Sequence, residues 1–523
     1  MSAVPRARAP IDGRIWRCAD GERRVATIVV VALVWAIVVI AIATRHAFWA
    51  DEVRAFSMAT TDDDVVAMLG RIHGDGHPSL WFLLLRGVHA VFASTFVLPA
   101  TAFAVGAATV LLLLTRSPFA WPLLVLVLAG RFGVYEYVVM ARNYGISALL
   151  MFAFAATYAR HRDHGIVLGV LLALLANTNA PSAVLVVAYL MFWGLDITPW
   201  NETQRRVFVR NALIAILGIA LSVATVYPTF NDAAQIRMSL GGRLVALAEA
   251  VLLPGRPLHE IAGSDLWRAL GGPFGLAQSI GMTLLLVAST LGLLHRRAAW
   301  VAALAGLIGV ASFYLQIYQA SYRHQALWIV FLLSLYWLAG PDGTRGAAKL
   351  GRIALLVLLG IQVVLGAGYL VPIVDGSAPE SRIRDLGRLI ASDPRLAQAT
   401  VMADPDDLVE ALPYYVSNPI WLPREQRFGT YAKFTRNARL TLGLDELLAD
   451  ARRLRTQSGQ PVLVLIRERL ERDGSAREVH EVYNWTLSIT PESTARFLDA
   501  TERLARFGPV CCSPETFDVY LLR

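Results

Sequence analysis

The sequence predicts a mostly α-helical protein: a polytopic transmembrane bundle of about eleven spans with a C-terminal extracytoplasmic α/β domain. Three observations lead there. Hydrophobic residues make up 56% of the 523-residue chain and charged residues only 17%, a balance too apolar for an ordinary soluble enzyme. Apolar runs that approach the length of a membrane span recur as far as residue 371. Beyond residue 372 the composition becomes that of a water-soluble domain.

The first apolar run, residues 25–44, follows Arg6, Arg8, Arg14, Arg17, Arg23 and Arg24. No cleavable signal peptide is evident, so this reads as a first transmembrane helix with residues 1–24 in the cytoplasm. Further runs fall at about 97–115, 117–136, 138–159, 165–177, 181–194, 211–227, 273–294, 298–317, 324–340 and 351–371. The basic connectors are Thr115–Arg116, Arg160 to His164, Arg205–Arg206 with Arg210, Arg296–Arg297, and Arg345 with Lys349 and Arg352. All are cytoplasmic by the positive-inside rule, the parity holds at every step, and the C-terminus faces outside. Residues 79–95 carry Arg86 and His89 within an apolar run, which is costly at mid-bilayer. They are expected to lie at the outer interface or to start the next span obliquely.

The transmembrane domain is therefore 25–372, with an outer loop at 45–78, and the α/β domain is 373–523. VMAD (401–404), PIWL, PVLVLI and FDVYLL read as strands, and LDELLADARRL reads as a helix. DPDDLVEALPYYV opens with a proline and acids, as a helix start should. The domain has no GxGxxG and no GxxxxGK[ST], so no nucleotide phosphate loop is expected. Cys18, Cys511 and Cys512 cannot build a disulfide framework, and the adjacent pair reads as small apolar residues at a strand end. The formal charge of +8 comes without basic–aromatic interleaving or zinc-finger spacing, which argues against nucleic acid. Lys349 and Lys433 are the only lysines, a bias that fits a GC-rich bacterial genome.

The informative stretch is FWADEVRAFS (48–57), where Asp51 and Glu52 stand at the outer end of the first span. An acid pair there can cap an amphipathic helix. It can equally supply a general base in an outer cavity, with the second acid tuning it or holding the acceptor. Further along, HGDGHPSL places His73, Asp75 and His77 among glycines, either as a polar turn or as candidate ligands for a divalent metal. Asp62, Asp63 and Asp64 read as the charged start of the next helix. The second outward connection offers Glu136, Arg142 and Tyr144, and a late span opens with Tyr322, Arg323 and His324. Arginines at a membrane boundary can be simple anchors. Two from separate loops on the face that holds the acids can also grip one phosphate.

The ordering of these elements resembles the GT-C superfamily of membrane glycosyltransferases, in particular bacterial relatives of protein O-mannosyltransferases and lipid A aminoarabinose transferases. The likeness spans about residues 25–340. It rests on the acid pair Asp51–Glu52 after the first span, His77-Pro78-Ser79-Leu80 closing the loop, Ala141-Arg142-Asn143-Tyr144-Gly145, and Tyr322-Arg323-His324. Ser79 departs from the family's Pro-Pro-Leu.

The resemblance implies an inverting transfer from a polyprenyl-phosphate-linked sugar donor to an extracytoplasmic acceptor (an envelope glycan, lipid or protein) at the bacterial inner membrane. Asp51 would be the base, with Glu52 beside it. His77, Glu136, Arg142, Tyr144, Tyr322, Arg323 and His324 would bind the donor phosphate and substrate. No cofactor is required by it, although a divalent metal remains open. The alternative is a flippase for a lipid-linked sugar that uses the same acids and arginines for binding alone. A purified donor distinguishes the two, by transfer to an acceptor or by passage across the bilayer without it.

Overall fold

The computed structural model describes residues 25–61, 64–73, 75–227, 238–272, 275–340, 346–435, 437–481, 484–511, 513 and 515–523. The arginines before the first span, Cys18, Asp62, Asp63, Arg345 and Cys512 lie outside them. Helix α1 (Val25–Arg45) is apolar all round, and Trp35, Val39 and Ile42, at helical spacing, are its buried residues, with Ile28, Val31 and Ala32 packed beside them. Val30, Leu33 and Ile37 stand exposed, a surface suited to lipid. Then come α2 (Ala50–Thr60), α3 (Val65–Arg71), α4 (Leu80–Phe92), α5 (Val97–Arg116) and α6 (Trp121–Ala129). Asp64 caps α3 as expected, accepting from the Ala67 N–H at 2.8 Å.

Helix α7 (Tyr144–His161) leads to α8 (Val167–Ala176), α9 (Ala180–Asp196) and α10 (Glu202–Val226). The remaining helices of this part are α11 (Leu240–Leu252), α12 (Ser264–Ala269), α13 (Leu276–Thr290), α14 (Arg297–Gln316), α15 (Tyr322–Ala339) and α16 (Ala347–Val374). Among the described residues, six stretches are long and apolar enough to cross a membrane: Val25–Arg45, Val97–Arg116, Glu202–Val226, Leu276–Leu293, Arg297–Gln316 and Ala347–Val374. By length and composition this is a mostly helical membrane protein.

The other five apolar runs are shorter, broken or polar at one end. The run at 117–136 ends as a helix at Ala129 and continues as a π-turn, Phe132–Glu136. A π-turn bonds residues five apart, here the Tyr137 N–H to the Phe132 carbonyl at 3.3 Å. It also brings Arg131 and Glu136 together. Residues 137–143 are not helical, so the next run begins only at Tyr144. Helix α8, at about 15 Å, is too short to cross alone. Helix α15 opens with the polar Tyr-Arg-His-Gln and is buried along nearly its whole length.

Residues 79–95 form a separate helix, α4, of 13 residues and about 20 Å, which packs on α2 and α5. Its Arg86 donates to the Ala59 and Thr61 carbonyls at the C-terminal end of α2, where a cation is favoured. Residues 240–252, which lie between the apolar runs at 211–227 and 273–294, form helix α11, capped by Ser239 and packed on α14.

After α16 the chain forms a mixed six-stranded sheet. Strand β1 (Thr400–Asp404) pairs in parallel with β2 (Ile420–Leu422) and β5 (Val462–Ile466). β3 (Arg427–Phe428) is antiparallel to β2, β9 (Phe517–Leu522) to β5, and β8 (Thr501–Phe507) to β9. Every residue of β1 and β5 is buried, which explains the unbroken apolar sequence of β5 and the apolar middle of β1. A second sheet joins β4 (Thr441–Gly443), β7 (Thr486–Ile489) and β6 (Arg477–His480). Helices α17 (Ile383–Ser392), α18 (Leu444–Ser458) and α19 (Pro491–Ala500) complete this part. The expected helix after Asp404 is instead two short 3-10 turns, Asp406–Val409 and Leu412–Tyr414. Pro413 has no N–H to continue a helix there, and Asp406 turns to accept from the Arg424 N–H. Cys511 is disulfide-bonded rather than a plain apolar residue.

The sheet-bearing part rests on α2. Phe48 packs on Tyr414 with ring centroids 4.6 Å apart. The Tyr415 hydroxyl donates to the Phe48 carbonyl, and the Ala50 N–H donates to Glu515 Oε1 at 2.8 Å. One continuous hydrophobic core runs from the helices into the sheet.

Candidate functional site

Successive helix residues point about 100° apart around the axis, and this splits the acid pair. Glu52 turns inward and is 0% exposed. Its Oε1 accepts from the Ala141 N–H at 2.6 Å, while Oε2 lies 2.9 Å from His46 Nε2 and accepts from the Trp49 N–H. Its acceptor sites are thus taken by the protein itself. Asp51 turns the other way, with 34% of its side chain exposed.

Asp51 faces two guanidinium groups. Its Oδ2 accepts from Arg323 Nη2 at 3.3 Å and lies 3.6 Å from Arg142 Nη2. Arg142 also donates through Nη1 to the Asp51 backbone carbonyl. Arg323 lies over the Trp49 ring, 4.8 Å from its centroid, and its Nε is buried without an acceptor among the described residues. Two cations therefore meet one carboxylate, which balances only one of their charges.

Three more side chains close the cluster. His77 Nε2 lies 3.0 Å from Arg142 Nη2 and 3.4 Å from the Tyr144 hydroxyl. The Tyr144 hydroxyl lies 2.7 Å from His324 Nε2. His324 Nδ1 accepts from the Ser321 N–H at 3.3 Å, so its hydrogen sits on Nε2 and is given to Tyr144. The Tyr144 hydroxyl hydrogen is then free to point toward His77 or a ligand. Tyr318, 41% exposed, stands beside this group.

Local sequence explains the convergence. Asp51 starts α2, Tyr144 starts α7, and Arg323 and His324 lie in the first turn of α15, so three helix N-termini, each the positive end of its dipole, meet at one place. Gly145 lets α7 begin tight against the 137–143 connection, because a Cβ added there would run into the Tyr137 carbonyl oxygen.

Not every expected residue joins. Glu136 pairs with Arg131 at 2.6 Å, and the Arg131 guanidinium lies between the rings of Tyr322 (4.2 Å) and Tyr369 (3.5 Å). The Tyr322 hydroxyl donates to Gln362. Glu136 and Tyr322 thus belong to a separate buried cluster and make no bond to the Asp51 group. The metal candidates also part company. His73 Nδ1 lies 3.1 Å from the Tyr227 carbonyl, while Asp75 turns to Arg54 and His77. Among the described residues no three His, Cys, Asp or Glu side chains come together to hold a metal ion.

Asp75, read from sequence only as a candidate metal ligand, takes another role, and His46, Glu410 and Glu515 enter although the sequence reading did not single them out. Asp75 is buried, which alone would raise its carboxyl, but the His77 hydrogen bond and the Arg54 charge hold it well below the usual range. His46, between Glu52 and the Tyr135 hydroxyl, fixes the buried acid. An ionisable residue five positions before Asp51 was the available signal. Glu410 and Glu515 reach the site from the sheet-bearing part, hundreds of residues away in sequence, and only folding reveals them.

The chain matches no known family model, no curated protein and no solved structure.

Proposed function

We propose that this protein is an inverting membrane glycosyltransferase that moves a sugar from a polyprenyl-phosphate donor to an acceptor outside the cytoplasm. In this reading the membrane part crosses about eleven times, with the Asp51 cluster and the sheet-bearing domain on the outer face of a bacterial inner membrane. The observation that carries it is a single part-exposed carboxylate held against two arginines that come from different segments. The surplus positive charge suits the single negative charge of a sugar–phosphate–polyprenyl diester.

The chemistry follows from that arrangement. While both guanidinium groups face Asp51, its Oδ2 is engaged with them. A donor phosphate that takes over the arginines releases Asp51 to accept a proton. The acceptor hydroxyl or amine gives that proton to Asp51 as it bonds to the anomeric carbon from the opposite side. The bond from that carbon to the phosphate oxygen breaks, and its electron pair leaves with the polyprenyl phosphate. Arg142, Arg323 and the Tyr144 hydroxyl neutralise the charge that grows on the leaving phosphate.

Donor affinity in wild type, Arg142→Ala, Arg323→Ala and the double variant tests the phosphate grip. Each single change is expected to weaken binding by about 1.5–3 kcal/mol, or roughly 10- to 150-fold. The double variant should lose less than the product, because two groups on one phosphate are not independent. Strict additivity, or unchanged affinity in either single variant, refutes the shared phosphate. Passage of the labelled donor across a vesicle wall without transfer to any acceptor would favour the flippase instead.

Orientation is tested separately. Ser377 is exposed just after α16. A Ser377→Cys protein should react with an impermeant thiol reagent applied to the outer face, above the background of the unsubstituted protein. Reaction only after membrane disruption would reverse the assignment.

A further inference from the structure

Helix α2 carries a buried cation one turn after Asp51. Arg54, 5% exposed, donates through Nε to Asp75 Oδ1 at 2.6 Å. Through Nη1 it donates to Glu410 Oε1 and to the Ala432 carbonyl, each also at 2.6 Å. Its guanidinium lies 4.6 Å from the centroid of the Phe434 ring. Glu410 Oε1 in turn accepts from the Ala432 N–H. One end of Arg54 therefore belongs to the sheet-bearing part, and the other to the loop that carries His77.

From Asp75 the chain of contacts continues into the cluster. Asp75 Oδ2 lies 3.3 Å from His77 Nδ1, and His77 Nε2 lies 3.0 Å from Arg142 Nη2. A guanidinium can only donate, so Nε2 must accept and carries no hydrogen. The ring hydrogen then sits on Nδ1 and is given to Asp75. Without Asp75 in place the ring can adopt the other tautomer, which turns an N–H toward an N–H. That change pushes Arg142 away from its present position.

We infer that Arg54 and Glu410 are positioning residues: they hold Asp75 so that His77 keeps its Nδ1–H tautomer and its Nε2 lone pair aims Arg142 at Asp51 and the donor phosphate. The inference rests on the reading of Arg142 as a phosphate contact. It makes the sheet-bearing part a working component of the site, through a tie that joins α2, the 75–79 turn and the 405–416 segment.

The test uses the full chain in lipid vesicles with ¹⁵N-labelled histidine rings, and a synthetic polyprenyl phosphate without sugar as the probe. The His77 signal is assigned by its loss in His77→Gln. Wild type should show an unprotonated Nε2. In Glu410→Gln, nearly isosteric, the His77 signal should move toward the other tautomer and the probe should bind roughly 10- to 100-fold more weakly. Arg54→Lys keeps the charge but cannot hold Asp75 and Glu410 together, so the same two changes are expected. It decides the matter if Glu410→Gln fails to insert. An unchanged His77 signal in both variants overturns the inference, whatever the lipid does. A moved signal with unchanged probe affinity also overturns it, because Arg142 would not depend on the ring. If wild type and Arg142→Ala bind the probe equally, the phosphate assignment itself fails, and the ring signal still decides the tautomer.

Discussion

Asp51→Asn is expected to leave the protein folded and inserted while transfer falls about 10²- to 10⁴-fold, the usual loss when a general base is removed. The fold should survive because the strong tie at this position uses the backbone: Arg142 donates to the Asp51 carbonyl, which asparagine retains. The carboxylate contributes one hydrogen bond at 3.3 Å and one looser ion pair, both partly open to solvent. The amide cannot take the acceptor's proton, so the loss should fall on turnover more than on donor affinity. Transfer by the purified variant, normalised to folded protein, is the measurement. Near-wild-type turnover would remove Asp51 from the chemistry.

Glu52→Ala should do the reverse, destabilising the protein by about 3–5 kcal/mol, as when one partner of a buried charged pair is removed. It would leave the Ala141 and Trp49 N–H groups and His46 facing a void. Glu52→Gln should be milder, since one carbonyl oxygen can still accept from Ala141 or Trp49 but not both. Thermal unfolding in detergent measures this. The pair also has a pH signature. Burial alone would lower the His46 pKa, but the Glu52 charge and hydrogen bond lift it above its ordinary 6.5. That contribution is complete below about 6.5 and fades as the pH rises through the folded value, so wild type should lose stability over that window and Glu52→Gln should lose less. An equally stable Glu52→Ala protein, or identical pH profiles, would show that the buried acid holds nothing together.

How far the sequence could be read depended on the range of the interactions involved. Local signals were readable: the run at 25–44 became Val25–Arg45, PVLVLI contained Val462–Ile466, and LDELLADARRL opened Leu444–Ser458. Each was set by periodicity or an unbroken apolar stretch. The π-turn at Phe132–Glu136 was not readable, because it depends on the ion pair and ring stacking around Arg131. The 3-10 turns after Asp404 escaped because Asp406 is satisfied from Arg424, eighteen residues away. Within the site, Asp51, His77, Arg142, Tyr144, Arg323 and His324 could be named from sequence. The separate fates of Asp51 and Glu52 could not, since both acids fit a helix start and only the packing of α2 decides which faces inward.

The contact between Glu515 and the first residue of α2 also orders events in time. The two residues are 465 positions apart, and the helix bearing Asp51 is tied through its Ala50 N–H to a carboxylate made long after it. At a synthesis rate of roughly 5–20 residues per second, that partner arrives roughly 25–90 s after α2 emerges. Until then the helix start lacks a buried hydrogen-bond partner, and a ribosome-bound nascent chain that already holds all the membrane helices is still without its finished site. The proposed activity should therefore appear only after Glu515 has emerged and docked, and a chain cut short before it should hold the Asp51 helix without that anchor.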